Sequence, residues 1–473
     1  MAAADVAAPV YLDALGPRGP YRTRVPDTVT DVSGAEVARL SLVPPVYVDR
    51  ALAALRKAGP VPADGLDALL ETAAEEFATG TVGGLGLREY EYLVSRTSGT
   101  PLTVVRHATR GTARFVSRAR ASAEQGRPRG TVRDRRDPSL GAGHAVWARR
   151  GEVFAVNASG NHPGVHRLWL EALALGYRVA VRPSRREPFT PHRLVGALHR
   201  AGVGQDRLAL LPTDHRTAQT LIRGADRAVV YGGDEVVARY AHDARVLPQG
   251  PGRTKILITA DTDWREHLDA IVASVADEAG TACVNATAVL VEGDPAPLAE
   301  ALAARLSRLP GLPPQDARAV LPVCPLDRAR ALDSYLRSVA AGTRAWLGGD
   351  GVVDDLGDGS AVLRPAVHQV ADARAPQVRT ELPFPCVWVA PWSRSDGIAP
   401  LRGTLVLSVL SRDRALLDTL VAEPSIANVY AGDHPTYWMA PGVPHDGYLS
   451  DFLMRGKAVV GFGIGVGVGV GIG

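Results

Sequence analysis

A chain of 473 residues with 46% hydrophobic content carries enough apolar material for two packed domains, which excludes disorder as its dominant state. Acids and bases nearly cancel, 50 against 53, so no global field selects nucleic acid or an acidic membrane surface, and a small-molecule substrate is the default. The three cysteines, Cys283, Cys324 and Cys386, are too few and too scattered for a disulfide framework or a zinc site; they fit a reducing cytoplasm, and no metal is expected. The bases are nearly all Arg, with Lys only at Lys57, Lys255 and Lys457, a coding bias rather than a function. The N-terminus lacks the basic and apolar regions of a secretory signal.

In chain order, residues 51–58 and 66–77 repeat apolar side chains at helix spacing, while 121–143, dense in Arg, Asp, Gly and Pro, reads as a loop or solvated hairpin arm. From Gly151 strand and helix alternate. Residues 153–156 read as a strand, 165–175 as a helix with Val165, Leu168, Trp169 and Leu173 on one face, and 177–181 as the next strand. This is a βαβ unit, hence parallel pairing with a right-handed crossover. A helix at 194–201 and strands at 208–211 and 228–231 extend it into a doubly wound α/β unit, whose ligands belong beyond the carboxyl ends of the strands. After Pro248 the alternation restarts with 256–258, a helical region at 264–277 and a strand at 288–291, predicting a second α/β domain. The apolar tail from residue 458 is shorter than the roughly 20 residues a spanning helix needs, and its alternate glycines suit an edge strand or disorder.

Four segments carry chemistry. Asn157-Ala-Ser-Gly-Asn161-His-Pro163 follows a strand and gathers polar groups where a helix opens. Arg182-Pro183-Ser184-Arg185 brings cationic and hydroxyl donors to the end of the next strand. Gly232-Gly233 follows a third and allows close approach of a pyrophosphate. Gly280-Thr-Ala-Cys283 sets a thiol among small residues with room for a carbonyl, whereas Cys324 and Cys386 lie beside prolines and read as structural.

The order and spacing of these segments resemble the aldehyde dehydrogenase superfamily over about residues 150–460. The resemblance implies that Asn161 helps hold an oxyanion and Cys283 is the nucleophile. It implies too that Arg182, Pro183, Ser184 and Arg185 bind the adenosine ribose and that Gly232 and Gly233 cover the pyrophosphate. Glu381, in a Glu-Leu-Pro-Phe-Pro segment similar to the family's Glu-x-Phe-Gly-Pro, would hold the nicotinamide ribose. The implied fold is α/β, with a Rossmann-type cofactor domain over residues 1–125 and 148–248 and an α/β catalytic domain over 249–445. An oligomerisation arm and C-terminal tail occupy 126–147 and 446–473, and a homodimer or homotetramer is expected.

Two departures sharpen the reading. Hydrolytic members carry a Glu 34 residues before the cysteine, where this chain has Gln249, and an amide has no useful basicity near neutral pH. Slow hydrolysis suits an enzyme that reduces an acyl thioester of coenzyme A or of a carrier protein, as the family's acyl-CoA reductases do; oxidation of an aldehyde to an acid is the alternative, and an acyl-phosphate or acyl-adenylate reductase or a non-catalytic binding subunit are further ones. A base supplied by His242 or another residue would undo that inference. Arg185 stands where a Glu would repel a 2′-phosphate, which favours NADP(H) over NAD(H).

Overall fold

Short apolar runs, buried on both faces, form the strands of a parallel sheet: β1 Val153–Asn157, β2 Arg178–Arg182, β3 Leu208–Leu210, β4 Arg227–Tyr231 and β5 Val246–Gln249. The computed structural model describes residues 9–142 and 144–459. The spatial order is β5-β4-β1-β2-β3, and the hairpin Ala14–Gly16 with Gly19–Tyr21 adds antiparallel to the β3 edge. The winding reverses between β1 and β4, which opens a crevice at the carboxyl ends of those two strands.

Alternation along β1 fills both faces of this sheet. Phe154 and Val156 join a core with Val105 and Val116 of α1 (Leu102–Gln125), Trp169 and Leu173 of α2 (Leu168–Ala174) and Leu194 and Leu198 of α3 (Phe189–Arg200). Val153 and Ala155 pack on the other side against Leu52, Leu55, Leu221 and Ile222.

The second sheet holds β6 Thr254–Ile258, β7 Ala286–Glu292, β8 Ala366–Gln369, β9 Cys386–Trp392, β10 Thr404–Leu410 and β11 Ile426–Ala431. Its order is β8-β9-β7-β6-β10-β11, all parallel, with Arg344–Leu347 antiparallel outside β8. Only four residues separate β5 from β6. The carboxyl edge of the first sheet is therefore set against the amino edge of the second, and the loops entering β7 and β9 open into the same cleft.

Three expectations about elements change. The helix at 165–175 is a 3₁₀ turn, Pro163–His166, followed by α2, because the His162 ring caps the Gly164 N–H and Trp169 Nε1–H donates to His166 Nδ1, tightening the first turn. The helical region at 264–277 likewise opens as a 3₁₀ turn, Trp264–His267, capped by Asp263 ahead of the helix Leu268–Ala276. Residues 121–125 belong to the last turn of α1 rather than to a loop. Beyond it, Thr131–Val132, Ala145–Arg149 and Met454–Lys457 form a small separate sheet. The glycine-alternating tail from 461 lies outside the described residues. Among the described residues no helix is long and apolar enough to cross a membrane.

Candidate active site

Cys283 sits on the loop that enters β7, and the backbone before it is strained: Glu278, Ala279 and Gly280 all adopt left-handed φ, at 54°, 61° and 64°. For the two residues bearing a Cβ this costs about 1–2 kcal/mol each, which the surroundings offset. His162 Nε2 and Glu278 Oε2 pair at 2.7 Å; burial pushes the Glu278 carboxyl up, but this pair together with the charges of His107 and Arg167 holds it below its ordinary range. A Cβ on Gly280 would overlap Pro385. The loop is fastened from two further sides. Asn161 Nδ2 donates to the Thr281 carbonyl at 3.0 Å while its Oδ1 accepts from Ser159, and Thr254 Oγ1 donates to the Cys283 carbonyl at 2.9 Å. A cavity of about 160 Å³ lies against this loop, lined by Asn161, Thr281, Glu381 and Phe384 among others.

The thiol has a basic neighbour that sequence reasoning missed. His445 Nε2 lies 3.4 Å from Cys283 Sγ, and Asp446 Oδ1 lies 3.5 Å from His445 Nδ1. Gln249, buried at the end of β5, donates from Nε2 to Asp446 Oδ2 at 2.8 Å. Burial, the largest single influence on the imidazole, pushes its pKa down, but the charges of Cys283 and Asp446 and the contacts with them hold it well above the ordinary histidine range. His242, the base considered from the sequence, is exposed on the surface after the Asp234–Tyr240 helix.

The remaining expected residues divide between the two edges of the cleft. Glu381 accepts the Arg253 N–H at 2.8 Å, and burial raises its carboxyl pKa. Arg182 is buried at the end of β2 and donates to the Thr213 carbonyl at 3.1 Å; Pro183 is buried beside it, and Ser184 Oγ accepts the Arg186 N–H. Gly232 donates to the Gln249 carbonyl, and Gly233 begins a short helix whose Asp234 is clasped by Arg253 at 2.6 Å. Arg185 does not point freely outward: it forms a two-point ion pair with Asp27, Nε to Oδ2 at 2.6 Å and Nη2 to Oδ1 at 2.8 Å.

Residues 88–448 match the model of the aldehyde dehydrogenase family. The chain belongs to the aldehyde dehydrogenase family. It is 25% identical over 128 residues to a putative aldehyde-dehydrogenase-like protein of Sinorhizobium fredii, a stretch covering 26% of this chain and 25% of that one. It is 25% identical over 143 residues to malonate-semialdehyde dehydrogenase 1 of Geobacillus kaustophilus, covering 28% of this chain and 29% of that one. The match thus spans less than a third of the length of either curated relative. Its fold is that of an indole-3-acetaldehyde dehydrogenase from P. syringae solved with NAD+ and IAA, at TM-score 0.81 and 16% identity over 96% of this chain and 97% of the other. It is also that of a Thermus thermophilus 1-pyrroline-5-carboxylate dehydrogenase, at TM-score 0.79 and 18% identity over 95% and 93%.

In this aldehyde dehydrogenase fold the carboxyl ends of β1, β2 and β3 present polar atoms that fit a dinucleotide. Asn157 Oδ1, Arg182 Nε and the Thr213 hydroxyl are buried there without a hydrogen-bond partner, and a Cβ on Gly233 would meet nothing within 4 Å. Buried polar atoms are rarely left unpaired, and ribose hydroxyls and phosphate oxygens are groups that would pair with these. His445 escaped the sequence reading because 162 residues separate it from Cys283, in a loop whose Pro-Gly-Val-Pro-His-Asp-Gly composition signals only a turn.

Proposed function

We propose that this protein is an NAD(P)-dependent enzyme that oxidises an aldehyde to a carboxylic acid through a thioester on Cys283. The observation that carries the reading is the 3.4 Å contact between Cys283 Sγ and His445 Nε2, on a loop already held by Asn161 and Thr254. An imidazolium beside the thiol stabilises the thiolate, which is the nucleophilic form. The thiolate adds to the aldehyde carbon, and the oxyanion is met by the second amide hydrogen of Asn161, the first being donated to Thr281, together with a backbone N–H near Cys283. The turns after β1, β2 and β4 and Glu381 would hold a nicotinamide dinucleotide, which would supply the hydride acceptor that no side chain of this chain offers. The sequence relatives named for aldehyde oxidation support this direction.

One observation favours a second reading, reduction of an acyl thioester of coenzyme A or a carrier protein: Gln249 occupies the place of the hydrolytic Glu, and its amide is committed to Asp446. The cofactor preference rests on Arg185. Its pairing with Asp27 means that a 2′-phosphate must compete with an internal carboxylate, so NADP+ is favoured over NAD+ only weakly. We propose too that whole chains self-associate through the edge strand Met454–Lys457. The test is production of acid and reduced dinucleotide from an aldehyde panel. Both should vanish in Cys283→Ala, and activity that survives this change would refute the assignment of the nucleophile.

A further inference from the structure

We infer that His445 is the base that releases the acyl group from Cys283 to water, the task the family's hydrolytic members give to a Glu at the position of Gln249, and that Asp446 and Gln249 are positioning residues for it. This rests on the proposed Cys283 thioester and identifies how it is discharged.

The geometry forms a chain of four groups from three distant segments. His445 Nε2 reaches the sulfur, Asp446 Oδ1 approaches Nδ1 to 3.5 Å without hydrogen-bonding it, and Gln249 fixes the far oxygen of Asp446. The substitution at 249 and the His–Asp pair explain one another. A Glu there would set a second carboxylate at hydrogen-bonding distance from Asp446, whereas the amide donates to it. The loop bearing the pair is anchored on several sides: Asn428 Nδ2 donates to the His445 carbonyl, Tyr437 Oη donates to Asp277 at 2.6 Å, Thr436 N–H to Ser274 Oγ, and Gly442 N–H to Ser122 Oγ. A base on so constrained a segment is held in place for proton transfer.

The charges around the ring make this base act at the right moment. The titratable groups facing it are Cys283 and its neighbour Asp446, and the half-buried Tyr231 lies near both of those. A negative charge on the sulfur, 3.4 Å from Nε2, favours the protonated imidazole against the effect of burial. Acylation takes a negative charge away from Nε2 and so weakens the ring's hold on its proton when there is a thioester to hydrolyse. The oxygen of water then bonds to the acyl carbon, the water proton passes to His445 Nε2, the C–S bond breaks, and its electron pair returns to sulfur. Thiolate and imidazolium are restored together, with no change in oxidation state.

The test is rapid mixing of His445→Gln with dinucleotide and whichever aldehyde the unmodified protein turns over fastest, at about pH 9, where a free thiol ionises without help. Loss of a general base predicts a fall of about 10²–10⁴-fold in steady-state turnover. A burst of one reduced dinucleotide per chain should remain, intact-mass analysis should show an acyl adduct on Cys283, and added hydroxylamine should discharge it and restore turnover. Steady-state turnover within tenfold of the unmodified protein, or absence of the adduct, would overturn the inference. An unmodified protein that oxidises no aldehyde would instead sink the functional reading on which it rests. For the positioning role, Gln249→Ala should shift the rising limb of kcat to lower pH, because a loosened Asp446 supports the imidazolium less, while the burst is kept. An unmoved limb would remove Gln249 from this role.

Discussion

Cys283, Asn161 and Glu381 come from three separate loops; Asn161 and Glu381 line one cavity beside the Cys283 loop, and each of the three stands out in a short motif because its neighbours are small or turn-forming residues. His445 and Asp446 were not, since nothing local marks a His-Asp pair in a Pro-Gly loop as lying against a sulfur. Arg185 shows the reverse limit: its charge was legible, but its partner Asp27 lies 158 residues away. Because that pair is half exposed, breaking it costs about 1 kcal/mol or less, so Asp27→Asn should improve the NADP+ to NAD+ ratio of kcat/KM by no more than about fivefold. Steady-state kinetics with both dinucleotides checks this, and an unchanged ratio would show that Arg185 does not reach the 2′ position.

The loop from β5 to β6 and the loop entering β7 are pressed together. Gly252 lies so close that a Cβ there would overlap the Cys283 carbonyl, and the same residue's carbonyl accepts the Leu405 N–H at the start of β10. Gly252→Ala should therefore displace the nucleophile while leaving the sheets intact. A misplacement of about 1 Å predicts a loss of roughly 10²-fold in kcat, with the far-UV circular dichroism unchanged; full activity would mean that the contact is not maintained in solution. Strands of this kind were legible because parallel strands buried on both faces read as continuous apolar runs. The break between Pro163–His166 and α2 was not, because side-chain caps set it rather than periodicity. Three-residue strands such as Ala14–Gly16 are too short for any period to show.

At the scale of the whole molecule, two α/β units were readable from the restart of alternation after Pro248, but the four-residue link between β5 and β6 that sets their edges together was not, since Gln249 and Thr254 were not recognised as strand ends. Buried ionisable groups give the folded state a definite pH dependence. Burial holds His166 and His192 down at about 3 and about 4, against 6.5 when unfolded, so their contribution is complete above pH 6.5 and is lost as pH falls toward those values. Each histidine costs about 1.4 kcal/mol per pH unit in that range. Glu187, pushed up to about 7 by burial, acts in the opposite sense between its ordinary 4.5 and 7. Tm should therefore decline from pH 6.5 toward 4, most steeply between 4.5 and 4 where Glu187 no longer opposes the two rings, and a Tm that rises over that range would contradict the burial of these rings. The most direct test of the central claim is product analysis of the purified protein with NAD(P)+ and a panel of aldehydes. Oxidation through Cys283 should yield carboxylic acid and reduced dinucleotide in equal amounts, both abolished in Cys283→Ala. Inert aldehydes, together with NADPH-dependent conversion of acyl thioesters to aldehyde, would contradict it.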